Sequence, residues 1–191
     1  MREIALHLLD IAENSAAAES KNISVHVQED LVHDRLMASV IDDGRGMDAA
    51  TVEQVQDPFY TTRTTRSVGL GIPLLKLAAE QAEGSFSLES DPGKGTWVEA
   101  EFRHGHIDRM PLGDLSATFL TLLISHPQID WTFLYRVTSG NTDSREFLFE
   151  SADLKRELGD ISLTEPEVLT FLRSLFEEGI EEVALDPVPE H

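Results

Sequence analysis

Val40-Ile41-Asp42-Asp43-Gly44-Arg45-Gly46-Met47 is the stretch on which the reading of this chain turns. Its apolar lead-in, Met37 through Ile41, predicts a strand buried on at least one face. The strand runs into a turn punctuated by Gly44 and Gly46, which lack a Cβ and tolerate φ > 0, so a flat ligand can approach the backbone closely. Asp42 stands where a buried carboxylate would accept a hydrogen bond from an exocyclic amine. Taken alone, Asp-Asp-Gly also fits a plain surface turn.

Upstream, residues 2–19 read as an amphipathic helix, with Ile4, Leu8 and Ile11 at helical spacing. Asp10 and Asn14 are four apart and share a face of it. Such a pair either is solvated or supplies oxygen ligands to a divalent cation and orients a water. Ile23, Val25 and Val27 then alternate with Ser24, His26 and Gln28 as a half-buried strand, and Glu29 to Arg35 reads as a hairpin loop. His26 and His33 are expected at the surface.

Downstream, Asp48 is placed to cap a short helix over 49–55. The hydroxyl-rich segment 57–67 reads as a loop carrying Arg63 and Arg66, whose guanidinium groups match phosphate oxygens. Gly69, Leu70 and Gly71 open a helix expected over 73–82, with backbone N–H groups aimed at an anion. Two alternating strands joined by an Asp91-to-Gly95 turn complete the segment.

Composition limits the functions open to the chain. Its 191 residues contain no cysteine, which excludes disulfides, thiolate metal sites and cysteine nucleophiles. A formal charge of −20 disfavours nucleic-acid binding, so a polyanionic ligand must bring metal or meet local arginine and N–H donors. No apolar run is long enough to span a bilayer, and Arg2, Glu3, His7 and Asp10 interrupt the first one, so a cytoplasmic protein is expected.

Five boxes in register resemble the ATP-binding domain shared by gyrase, MutL, the large heat-shock chaperone and sensor histidine kinases. They are Asp10 to Ser15, Asp42 to Met47, Pro58 to Arg63, Val68 to Ile72 and Gly93 to Thr96. The lid-entry box looks closest to the histidine kinase catalytic domain. The resemblance implies a two-layer α/β sandwich of the Bergerat type with a mixed sheet in residues 1–104, which binds ATP and Mg²⁺. Asn14 would ligate the metal and Asp42 would take the adenine amino group, supported by Thr96. Gly44 and Gly46 would pass under base and ribose, with Met47 near the base. Gly69, Leu70 and Gly71 would face the phosphates, and Arg63 or Arg66 would be the lid cation. Asp10 occupies the position where hydrolysing members carry glutamate; one methylene shorter, it argues against efficient water activation.

Residues 105–191 read as a linker (105–112) followed by a small α+β unit, whose apolar helix faces suit packing on the first domain, dimerisation or partner binding. Its helices are expected over 115–125, 152–158 and 166–178, the first capped by Asp114 and the last by Thr164. Strands 131–138 and 145–149 form a hairpin, and the tail from Asp186 is expected to be disordered. His104, His106 and Asp108 read as polar linker residues rather than a metal site. The chain as given begins on the Asn14 helix, so the phosphoacceptor hairpin of a sensor kinase is expected on another protein. The functional expectation is therefore an ATP/Mg-binding regulator acting on a partner in trans. The alternatives are a slow ATPase that dimerises on ATP, and a nucleotide-sensing module without turnover.

Overall fold

The computed structural model describes residues 3–57, 71–140 and 143–184. In chain order these form α1 (Ile4–Ala17), β1 (Asn22–Asp30), β2 (Arg35–Asp42), α2 (Ala49–Gln54), α3 (Gly71–Gln81), β3 (Ser85–Asp91), β4 (Gly95–Arg103), α4 (Leu115–Ser125), β5 (Asp130–Thr138), β6 (Ser144–Glu150), α5 (Ser151–Leu158) and α6 (Pro166–Ala184). The strands make one six-stranded mixed sheet in the order β3-β4-β2-β1-β5-β6. β1 pairs parallel with β5, and the other neighbours are antiparallel. Alternation dictates which face is covered: Ile23, Val25, Val27, Leu36, Ala38, Val40, Val98, Ala100 and Phe102 are buried towards the helices. This is a two-layer α/β sandwich.

The segments expected as 1–104 and 105–191 meet in that sheet and share one core. Its C-terminal side is aromatic. Phe119 stacks on Phe133 at 4.4 Å between centroids, and Phe176 meets Phe149 edge-on at 4.9 Å. Such pairs add to the burial of the rings themselves. The linker is also structural. The α1 N-cap, Glu3, makes no side-chain capping bond, so the first helical N–H groups find other acceptors: Ile4 donates to the Pro111 carbonyl (3.0 Å) and Ala5 to that of Leu112 (2.8 Å).

Several expected boundaries shift. α1 stops at Ala17, with Glu19 at φ 64° closing its end. The β1–β2 ladder continues to the Asp30–Arg35 pair and shortens the expected hairpin loop. The helix expected from Pro73 already begins at Gly71, and α6 runs past Glu178 to Ala184 because Val183 is still buried. Thr164 caps nothing; its hydroxyl shares a 2.8 Å hydrogen bond with Ser162. Asp48 and Asp114 cap as expected, accepting from the Thr51 and Ala117 N–H groups. His26 is half-buried rather than at the surface, and burial followed by the Arg136 charge lowers its pKa. The tail from Asp186 lies outside the described residues.

A shared core predicts shared unfolding. Phe176→Ala should cost about 3–5 kcal/mol and shift the whole denaturation curve. Far-ultraviolet dichroism and emission from buried Trp131 should stay coincident; separate transitions would contradict this.

Candidate nucleotide site

The ends of β2 and β4 and the adjoining turns build a cleft of about 550 Å³, lined by Asp42, Met47, Val52, Leu88, Ser90 and Thr96 among others. That volume suits a small organic ligand. Apolar side chains, Met47, Val52 and Leu88 among them, share the wall with Asp42, Ser90 and Thr96 and with the charged Glu89, Asp91 and Lys94.

Asp42 is the last residue of β2 and is 8% exposed. A carboxylate so placed needs donors. Ser15 on α1 donates its hydroxyl to Oδ2 at 2.5 Å, and the Gly44 amide donates to Oδ1 at 2.9 Å. Gly44 has no room for a side chain, since a Cβ would stand 2.6 Å from Ser20 Oγ. Ser15 thus joins the site. In the sequence it closes the Asp10-to-Ser15 box, next to Asn14 on α1.

Asp43 has a different task. Its Oδ1 accepts from the Lys21 and Asn22 N–H groups (2.7 and 2.9 Å), and its Oδ2 accepts from Asn22 Nδ2 at 2.7 Å. It ties the α1–β1 turn to the end of β2. Burial pushes its pKa up, but the Asn22 side chain and the two N–H groups outweigh this and leave it below the ordinary 3.8.

The two glycine turns interlock behind Asp42. Gly93 N–H donates to the Arg45 carbonyl at 2.7 Å, and Met47 N–H donates to Ser90 Oγ at 2.8 Å. The Ser90 hydroxyl donates to the Gly95 carbonyl at 2.8 Å, with the Thr96 hydroxyl 3.0 Å away. Gly46 holds φ 62°, and a Cβ there would lie 1.9 Å from the Asp91 carbonyl oxygen. Thr96 pairs with Asp42 across the ladder, which brings both expected base contacts to one wall.

Asp10 and Asn14 lie on the α1 face that leads towards α3. Asp10 packs on Gly71 at the α3 N-terminus, where a Cβ would come 2.0 Å from Asp10 Oδ2. His7, one turn earlier, is buried beside the Gly71 backbone with no partner for Nδ1 among the described residues. Burial is the main cause of its lowered pKa, followed by the opposing Gly71 hydrogen bond. Neither Asp10 nor Asn14 lines the cleft that holds Asp42. Arg63, Arg66, Gly69 and Leu70 lie outside the described residues.

The residues fit a magnesium nucleotide. The buried Asp42 acceptor beside an apolar wall matches an aminopurine edge. Among the described residues no cluster of three or more His, Asp or Glu forms a protein cage for metal. Mg²⁺ characteristically takes few protein oxygens and completes its shell with water and phosphate; Asn14 is the residue that would hold it. No described helix is long and apolar enough to cross a membrane.

Residues 1–106 match the family model described as histidine kinase-, DNA gyrase B- and HSP90-like ATPase. Sensor protein kinase FleS of Pseudomonas aeruginosa is 38% identical over 89 residues, 47% of this chain and 22% of the kinase. Sporulation kinase C of Bacillus subtilis is 30% identical over 88 residues, 46% of this chain and 20% of that one. A putative sensor protein of Shewanella frigidimarina is 26% identical over 103 residues, 53% of this chain and 15% of its own. The chain thus spans less than a quarter of each of these relatives. Among solved structures, the Aquifex aeolicus MutL ATPase domain complexed with ADP aligns at TM-score 0.45 and 15% identity, covering 71% of this chain and 60% of that one. The catalytic domain of histidine kinase ThkA aligns at TM-score 0.41 and 18% identity, covering 52% and 65%.

The Asp43 carboxylate ties stability to pH. A depressed carboxylate stabilises the fold above its unfolded pKa and loses that contribution as pH falls through the lower folded value. The Asp43 contribution is therefore complete above about pH 4 and fades below it. Asp43→Asn should lower Tm at neutral pH and flatten its fall in acid, as followed by calorimetry between pH 7 and 3.

Proposed function

The chain belongs to the histidine kinase-, DNA gyrase B- and HSP90-like ATPase family, and on that premise we propose an ATP- and Mg²⁺-binding regulatory protein that acts on a partner protein in trans. The observation that carries the nucleotide reading is the buried Asp42 carboxylate. It is fixed by Ser15 and Gly44 and opens onto the cleft beside Thr96. Both of its oxygens are oriented before any ligand arrives, so little reorganisation is needed for it to accept from an adenine amine.

Each remaining residue has a role in this reading. Met47 and Val52 give the base an apolar wall, and Gly44 and Gly46 let the turn pass close to base and ribose. Asn14 ligates Mg²⁺. Gly71 presents the α3 N-terminus to phosphate, in company with Gly69 and Leu70, and Arg63 or Arg66 supplies lid charge. Bound ATP supplies the phosphoryl group. Asp10 is the candidate base, and its side chain is turned onto Gly71. With its short reach, this placement favours transfer to a side chain over activation of water. The names of the aligned relatives, sensor and sporulation kinases, support the same direction. A cytoplasmic setting fits such a regulator. Residues 105–191 serve in this reading as the partner-binding or dimerisation addition.

Calorimetric titration with Mg-ATP tests the base contact. Asp42→Asn keeps the shape but replaces an acceptor with a donor-bearing amide, and it should weaken ATP about tenfold or more, roughly 1.4 kcal/mol. Equal affinity in both proteins would overturn the assignment. Phosphate release with ATP-dependent dimerisation in the absence of partner would select the ATPase alternative over trans action. Binding with neither transfer nor release would select the sensing module.

A further inference from the structure

The apolar strand residues buried in the core point to the helical layer; on the other face, among the described residues, Ser39 is buried and His26 and Glu99 are half-buried. At its β3–β4 end an apolar pair stands exposed: Trp97 is 41% accessible and lies opposite Ile41, itself 38% accessible. Glu89 is the cross-strand neighbour of Trp97 on β3, and Glu99 follows two residues along β4 on the same face. The nearby cations are committed elsewhere. Arg35 pairs with Glu101 at 3.1 Å, Lys94 with Asp91 at 3.0 Å and Arg136 with Glu146 at 2.6 Å. Glu89 and Glu99 meet no cation among the described residues.

We propose that this face, centred on Trp97 with Glu89 and Glu99, docks a basic amphipathic segment of the partner protein, laying a lysine or arginine over the indole. An indole face flanked by carboxylates attracts a cation through its quadrupole and through charge together. Burial, then the repulsion of Glu101 and Glu89, raises the Glu99 pKa, a strain that an incoming cation relieves. The charge selects the occupant. A second copy would bring Glu89 and Glu99 against their own like, on a chain of net charge −20. Trp97, Ile41 and Glu89 also border the nucleotide cleft, so the docked segment lies beside the proposed ATP. The inference rests on the trans reading for its purpose and gives that partner a chemistry.

The test titrates the full chain, without nucleotide, with a synthetic amphipathic helical peptide of leucine, lysine and arginine. Trp97 is the reporter, since the second tryptophan, Trp131, is 1% exposed. Saturable change in Trp97 emission is expected. Glu89→Lys with Glu99→Lys should weaken binding about tenfold or more, whereas Glu177→Lys with Glu178→Lys on α6 should preserve it. With dye-labelled peptide and anisotropy, Trp97→Ser should also bind weakly. Equal loss in both double variants would reduce the effect to net charge and overturn the proposal. Unchanged Trp97 emission, or self-association of the wild type through this face, would overturn it too. Because no nucleotide is present, a chain that failed to bind ATP would still bind the peptide, so the two readings fail separately.

Discussion

A carboxylate taken out of water must be given hydrogen-bond donors, and the geometry around Asp42 follows from that requirement. One donor is a hydroxyl on α1 and the other an amide from the turn after β2. Meeting both fixes the helix against the strand end and the turn against the carboxylate. The residue that would recognise a base therefore also sets the distance between the layers. Leaving one oxygen without its donor would cost about 1–3 kcal/mol, enough to select the serine and glycine that serve it.

The second constraint is space. Gly46 and Gly95 bring two turns within backbone contact, and at both positions a side chain would strike a carbonyl. Asp43 pins the α1–β1 turn to the same place. The turns beside the cleft are thus held together by hydrogen bonds that do not need the ligand.

Much of this was legible in the residues. Alternation in 23–27 and 96–102 and the apolar run into Asp42 located the inner strands, because a period of two leaves few other readings. Asp48 and Asp114 announced their helices through a local bond that needs no tertiary context. That Asp42, Met47 and Thr96 would line one cleft was legible because their boxes sit at fixed places relative to strand ends. Other features depend on distant partners. Ser15 closes the first box, yet only the fold brings its hydroxyl to a residue on β2, and Ser90 gives no sign that it links two turns. That β5 would lie parallel to β1 is not encoded in either strand; the shared core decides it. Thr164 misled because a capping residue type satisfied itself locally instead.

The β1–β5 pairing has a further consequence, for the order in which the chain is made. On the ribosome, the family-matching first half emerges with β1 as an open edge, Ile23, Val25 and Val27 on a strand that still lacks its neighbour. Its partner, beginning at Asp130, arrives much later. A long-range parallel ladder forms slowly, and an unpaired apolar edge recruits other chains. The C-terminal half closes that edge and lends α1 the carbonyls of Pro111 and Leu112. In a protein cut after the family domain, that edge would be left to the solvent and to its neighbours.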